Sequence, residues 1–457
     1  TAYELVHSEA LKAFGNGDDE LGLTILRVYV SDDSNSWSRA VPTALAAQKL
    51  GATVFATPWN PPASMRNTVN GGVAGGKYQL RKDKWADYAK HLNSYVKFME
   101  SKGVNLYSVS VQNEPDYAAD WTYWSANDLA SFIAQYGKQV TSGTKAKLMS
   151  PESFQYRKDI YNAILNNSAA YNNTDLFGTH FYGTSRNDMD FPALENCGKD
   201  IWMTEVYVPD SSSDADLYPQ ALQVSENIHN GLVVGNMNAY VWWYIRRSYG
   251  PMKENGQISK RGYCMAQYSK WVRPGAVRIG ATEQPNSNVL VSAYKNTDGT
   301  IAIVAINKNK NNVNQEFQMA SGETLSYVDS YTTSASGNLK KNELSASGTS
   351  FSDTLPSEDY QMIRNQTNLW TASIRNCDPE RFIQEALDAD SPDLLCDVIM
   401  PVKGFQGFQE QFDTMEKMRA LQPKKQGVHT LATPYICLLS DDTAVAYYLD
   451  IGWTTMG

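Results

Sequence analysis

The strongest constraint on this chain is an alternation between residues 23 and 245, in which short apolar runs each precede a longer segment with helical spacing. The runs are LTILRVYV (23–30), TVFATPW (53–59), LYSVSVQ (106–112), KLMSPES (147–153), LFGTHFYG (176–183), IWMTEVY (201–207) and AYVWWYI (239–245). Near-continuous apolar character calls for strands covered on both faces. The intervening KWADYAKHLNSYVKFMESKG (84–103) has apolar positions at helical spacing and closes on glycine. Strand–helix alternation of this kind predicts an α/β chain, with a parallel sheet inside helices as in a (β/α)8 TIM-type barrel. Several strands end in polar or aromatic residues, which marks the catalytic face of such a barrel. Seven strands are counted where a closed barrel needs eight. Residues 1–20 read as polar and helical, so the first strand is expected to be missing.

At 457 residues the chain exceeds one compact core. Residues 275–360 change to short alternating strands split by Gly, Asn and Ser turns, which predicts a side β-sandwich. After Asn365, two helical stretches and the runs HTLATPYICLL and TAVAYYLDIGW predict a small α+β extension of unknown role. The expected division is a barrel over 1–272, a sandwich over 273–365 and an extension over 366–457. Buried free thiols are favoured for the five cysteines, which show no CxxC or metal-ligand spacing, with a disulfide in the tail as the alternative.

Composition excludes two partners. A net charge of −9 argues against nucleic acid, and no run reaches the roughly 18 apolar residues of a membrane helix. No signal peptide is visible. The 27 Tyr and 11 Trp suit either a large core or a sugar cleft.

Two glutamates end apolar strands, where burial without a function would be costly: Glu114 in SVQNEP and Glu205 in IWMTE. Two carboxylates from different strand ends are what glycoside hydrolysis requires. Asn113 is suited to hold a sugar 2-hydroxyl, or to make a turn. Arg27 is placed to give Glu205 a charge-assisted hydrogen bond. His180 and Tyr182 could orient Glu205 or hold a sugar hydroxyl, with a core histidine as the competing reading. Trp59, Trp121, Trp124 and Trp243 are candidate stacking surfaces, as consistent with core as with cleft. Residues 244–263 gather Arg246, Arg247, Lys253, Lys260 and Arg261 with Tyr244, Tyr249 and Tyr263, a solvated face or a cradle for a carboxylate. No metal or organic cofactor is called for.

Together SVQNEPDY, ATPWNPPASM, PESFQY, GTHFYG, WMTEVY and VWWYIRRSYGPM closely resemble the bacterial glucuronoxylanases of glycoside hydrolase family 30, over roughly residues 8–350. The resemblance implies a barrel with a side sandwich and retaining endo-cleavage of xylan positioned by a glucuronic acid branch. It implies Glu114 as acid/base, Glu205 as nucleophile, and Arg247, Tyr249, Trp243 and Tyr207 as uronate binders, with Lys260 and a serine near Ser211 as helpers. The loop after Glu205 is shorter than the family's, and the family's first sandwich and barrel strands have no counterpart. A secreted monomeric enzyme is expected. The alternatives are another retaining β-glycosidase, such as a branch-indifferent xylanase or an endoglucanase, and an inactive, truncated carbohydrate-binding form.

Overall fold

The structure, a computed structural model, describes residues 5–71, 75–320, 324–358, 434–440 and 443–448. It has two units, Thr1–Tyr360 and Gln361–Gly457.

In the first unit the seven apolar runs form one sheet in sequence order. The strands are β1 (Ile25–Val30), β2 (Thr53–Pro58), β3 (Leu106–Ser110), β4 (Lys147–Ser153), β5 (Leu176–His180), β6 (Ile201–Glu205) and β7 (Ala239–Tyr240), and every neighbouring pair is parallel. The helices are α1 (His7–Phe14) before β1, then α2 (Val41–Lys49), α3 (Trp85–Ser101), α4 (Ala126–Thr141), α5 (Lys158–Leu165), α6 (Ser168–Asn173), α7 (Pro192–Glu195), α8 (Leu222–Val233) and α9 (Lys260–Ser269). In α3 the stripe Tyr88, Leu92, Tyr95, Val96 and Met99 is fully buried, as its spacing predicts. Each such side chain stabilises the fold by about 1.5–3 kcal/mol. The helix stops at Ser101, and Gly103 takes the left-handed conformation (φ 84°) that ends it.

The last run departs from expectation. Only Ala239–Tyr240 is strand, although Val241 N and Trp243 N still donate to Met203 O and Val206 O beside β6. An unforeseen hairpin, Arg66–Gly71 with Gly76–Leu80, rises after β2 and meets residues 121–123, where Tyr123 N donates to Tyr78 O (2.8 Å).

Strand periodicity places the site. Ile25 and Phe55 pack in a cluster with Tyr107, Met149, Leu176 and Trp202, and Tyr107 stacks on Trp202 at 5.0 Å. Two residues further on, the same faces carry Arg27 and Thr57, and two further still Tyr29 and Trp59, which meet edge to face at 5.3 Å. An apolar floor therefore lies beneath a polar layer with an aromatic rim.

Among the described residues the sheet has β1 and β7 at its two edges. The segment before β1 is tied to the chain beyond β7. Glu9 pairs with Arg246, Lys12 Nζ donates to Gly256 O (2.9 Å), and Arg273 Nη1 donates to Gly22 O (2.7 Å).

Beyond the barrel, β8 (Val277–Ile279), β9 (Val289–Lys295) and β10 (Ile301–Asn307) make a three-stranded antiparallel sheet. Two further antiparallel pairs join β11 (Val313–Gln318) to β14 (Ser350–Leu355) and β12 (Val328–Thr332) to β13 (Lys340–Leu344). β13 is almost wholly exposed and polar, so no apolar alternation announces it. Glu283 receives both Arg186 Nη2 (2.6 Å) and His229 Nε2 (3.0 Å), fixing this layer to α8.

In the second unit Pro434–Ser440 and Thr443–Tyr448 pair as an antiparallel hairpin; the second lies inside a run expected to be a strand, and the first extends one residue beyond the other. The helices expected over 366–433 lie outside the described residues. Cys197 and Cys264 are free thiols. No described helix is long and apolar enough to cross a membrane.

Candidate active site

Arg27 organises the polar layer. Fully buried, its guanidinium donates to Thr57 Oγ1 (3.1 Å), Asn113 Oδ1 (2.7 Å) and Glu205 Oε2, and lies 3.2 Å from Glu152 Oε1. One planar fork thus links the ends of β2, β3, β4 and β6. Its Cζ also sits 4.8 Å from the Trp59 ring centre.

Glu114 and Glu205 are 4% and 5% exposed, and one oxygen of each lies within 4.8 Å of the other. Their surroundings differ. Glu205 accepts from Arg27 on one oxygen and from Tyr182 OH on the other (3.0 Å). Glu114 Oε1 bonds His180 Nδ1 at 2.8 Å. Burial pushes the Glu114 carboxyl up to about 7; the bond to His180 opposes this and Glu205 adds to it. The Glu114 backbone is left-handed (φ 42°), a conformation that costs a non-glycine residue about 1 kcal/mol or more. The histidine therefore serves Glu114, and only the tyrosine serves Glu205, a division the sequence leaves open.

The third carboxylate, Glu152, went unassigned in the sequence. It is fully buried, accepts from Thr57 Oγ1 (2.9 Å) and faces His180 Nε2 at 3.7 Å. Burial alone would raise its carboxyl, but Arg27 and His180 more than offset that and hold it at about 2. His180 is raised to about 9, because the pull of Glu205, Glu114 and Glu152 exceeds the effect of burial. The readable signal was its place at the end of an apolar strand, the criterion that singles out Glu114 and Glu205.

Glu114, His180 and Glu205 are also the described residues whose donor atoms cluster tightly enough to hold an ion. Glu114 and His180 already bond each other, both Glu205 oxygens are taken by Arg27 and Tyr182, and the buried Arg27 guanidinium opposes another cation there.

An aromatic wall continues from Glu205. Tyr182 meets Tyr207 at 5.1 Å, Tyr207 meets Tyr249 at 5.2 Å, and Trp59 meets Trp243 at 5.8 Å. Arg247 lies near Tyr249, stacks on Tyr244 (4.1 Å) and gives one bond to Arg246 O (3.1 Å). Among the described residues it has no carboxylate partner. Lys260 stands apart. Its ammonium donates to Ser334 O (2.7 Å), Gly337 O (3.2 Å) and Asn338 Oδ1 (2.5 Å), so a ligand would have to displace that turn. Trp124 is core, 3% exposed, whereas Trp121 is half-buried and donates to Glu114 O (3.3 Å). Ser212 and Ser213 both bond Asp210.

A parallel β/α sheet with two close carboxylates in unlike surroundings at its C-terminal edge defines the class of a retaining glycosidase. Comparison makes the class specific. Residues 275–339 match the glycosyl hydrolase family 30 beta sandwich domain. Glucuronoxylanase XynC of Bacillus subtilis (strain 168) is 49% identical over 361 residues, covering 78% of this chain and 84% of that protein. The crystal structure of a GH30 endoxylanase from Clostridium papyrosolvens C71 superposes with a TM-score of 0.72 at 38% identity, covering 78% of this chain and 92% of that one. The family 30 subfamily 8 xylanase Xyn30A of Clostridium acetobutylicum gives 0.70 at 33% over the same shares. The chain belongs to glycoside hydrolase family 30.

Proposed function

We propose that this protein is a retaining endo-β-1,4-xylanase that cleaves glucuronic-acid-substituted xylan, with Glu114 as acid/base and Glu205 as nucleophile. The observation that carries the chemistry is the carboxylate pair. One oxygen of each carboxyl lies within 4.8 Å of the other, an approach that favours the closer retaining arrangement, about 5–5.5 Å between carboxyl groups, over the inverting one at about 6.5–9.5 Å. Glu205, oriented by Arg27 and Tyr182, attacks the anomeric carbon while Glu114 protonates the departing oxygen. Glu114 then takes a proton from water, which releases the xylosyl group with its configuration retained.

Asn113 presents its Oδ1 to Arg27, which leaves the amide nitrogen to donate toward a sugar 2-hydroxyl. Trp59 and Trp243 offer faces for the pyranose rings. The substrate assignment rests on the relatives named glucuronoxylanase and on Arg247, which lies beside Tyr249, stacks on Tyr244 and, among the described residues, has no carboxylate partner. A uronate branch supplies that partner. Action on a polymer of plant cell walls implies secretion, and the enzyme is proposed to act as a monomer.

Digestion of glucuronoxylan, with product masses read by mass spectrometry, tests the proposal. The expected products are acidic xylo-oligosaccharides carrying one uronic acid each, with little released from unbranched xylan. Equal cleavage of both polymers would replace this reading with a branch-indifferent xylanase.

A further inference from the structure

We infer that Glu152 is a positioning residue for the reaction, whose buried carboxylate fixes Arg27 and His180 and supplies the negative charge that keeps Glu114 in its acid form. This rests on the reading of Glu114 as the acid.

The fold makes room for it. β4 loses register against β5 between Pro151 and Ser153, and Glu152 itself is left-handed (φ 55°), which turns its side chain into the barrel. Gly178, opposite on β5, leaves the space. A Cβ there would lie 2.7 Å from Glu152 Cγ and 2.9 Å from Met149 Sδ. An unfavourable backbone and a glycine clearance both serve a side chain that touches no open surface.

Charge balance gives its role. Around Glu152 stand Arg27 from β1, Thr57 from β2, Ser110 and the Glu114 backbone from β3 and its end, and His180 from β5; Arg27 links it to Asn113 and to Glu205 of β6, which Tyr182 also bonds. Tyr207 and Tyr249 lie beyond Glu205, and Asp116 is held away by Ser153 Oγ (2.6 Å) and Phe154 N (3.2 Å). Two cations, Arg27 and His180, face three carboxyls. A buried cluster favours neutrality, which requires one proton on those three groups. Glu152 Oε1 faces both cations, 3.2 Å from Arg27 and 3.7 Å from His180, and Glu205 accepts from Arg27, so the proton falls to Glu114. Without the Glu152 charge, the cations need only one further anion besides Glu205, and Glu114 becomes it.

Glu152→Gln is therefore expected to shift the basic limb of kcat/KM on glucuronoxylan down by about one pH unit or more, because the coupled cluster holds one proton fewer. KM changes little while kcat falls. Glu152→Asp keeps the charge, and its basic limb stays within a few tenths of wild type. A loss in Glu152→Gln that is uniform with pH, with the limb unmoved, would reduce Glu152 to a structural prop and overturn the inference. A readout free of folding defects is the 15N spectrum of wild-type His180, which is expected to remain imidazolium at pH 7. Neutral imidazole there removes a cation from the balance and overturns the inference independently. Glu114→Gln assayed in parallel separates the two levels. If it keeps full activity on xylan, the acid assignment has failed. If it behaves as an acid variant while Glu152→Gln leaves the limb in place, only the Glu152 role has failed.

Discussion

Replacing Arg27 by Met keeps most of the volume of a fully buried side chain and removes its charge. Three hydrogen bonds are lost, to Thr57, Asn113 and Glu205, together with the ion pair to Glu152 at 3.2 Å. Breaking a buried ion pair from one side costs about 3–5 kcal/mol, because the remaining carboxylates are left without a partner. Unfolding entropy of about 2 cal/mol/K per residue over the 360 residues of the first unit gives roughly 0.7 kcal/mol/K. The expected drop in Tm is therefore about 4–7 °C at pH 7. Its pH dependence is diagnostic. In the wild type, the Glu152 contribution is complete above its ordinary 4.5 and is lost as pH falls toward about 2. In Arg27→Met the same buried carboxyl titrates above its ordinary value and destabilises only where it must ionise. The Tm gap between the two proteins should thus narrow from pH 7 to pH 5, as read by scanning calorimetry. A gap under about 1 °C at pH 7, or one that widens toward pH 5, would refute the claim that Arg27 holds the carboxylates.

The same geometry makes further outcomes testable. Because burial raises Glu114 to about 7, the acid form persists up to that pH, and kcat/KM is expected to fall as pH rises through about 7; a limb near 4.5 would contradict this. Glu114→Gln should lose about 100- to 10,000-fold in kcat on xylan yet keep most of its glycosylation rate on aryl xylosides with good leaving groups, a split that stopped-flow kinetics resolves. Arg247→Ala should lower kcat/KM on glucuronoxylan by about 10- to 100-fold, the value of a charge-assisted bond of roughly 1.5–3 kcal/mol, and unchanged activity would move the uronate elsewhere.

The barrel was legible because strands covered on both faces must be apolar throughout, and seven such runs gave seven strands in order. Glu114, Glu205 and Arg27 were legible for the converse reason, since charge at the end of an apolar strand is costly unless it functions. Glu152 met the same criterion in KLMSPES, but its direction depends on a bulge and on Gly178, features with no local signature. The partner of His180 was open because strand order sets neighbours without setting which nitrogen meets which oxygen. The hairpin Arg66–Gly71/Gly76–Leu80 and the strand Lys340–Leu344 escaped notice because their largely polar residues show no apolar period. The span of β7 was overread for the opposite reason: VWWYI is apolar enough for a strand, yet past Tyr240 it keeps only the bonds from Val241 N and Trp243 N beside β6 and brings Trp243 to the aromatic wall.

The central claim is a double displacement by Glu205 and Glu114 on glucuronoxylan, and the anomeric configuration of the first-formed product tests it most directly. Proton NMR during early digestion should show the new reducing-end xylose appearing as the β-anomer and mutarotating to the equilibrium mixture. Initial appearance of the α-anomer would mean inversion, and would contradict the assignment of Glu205 as a nucleophile.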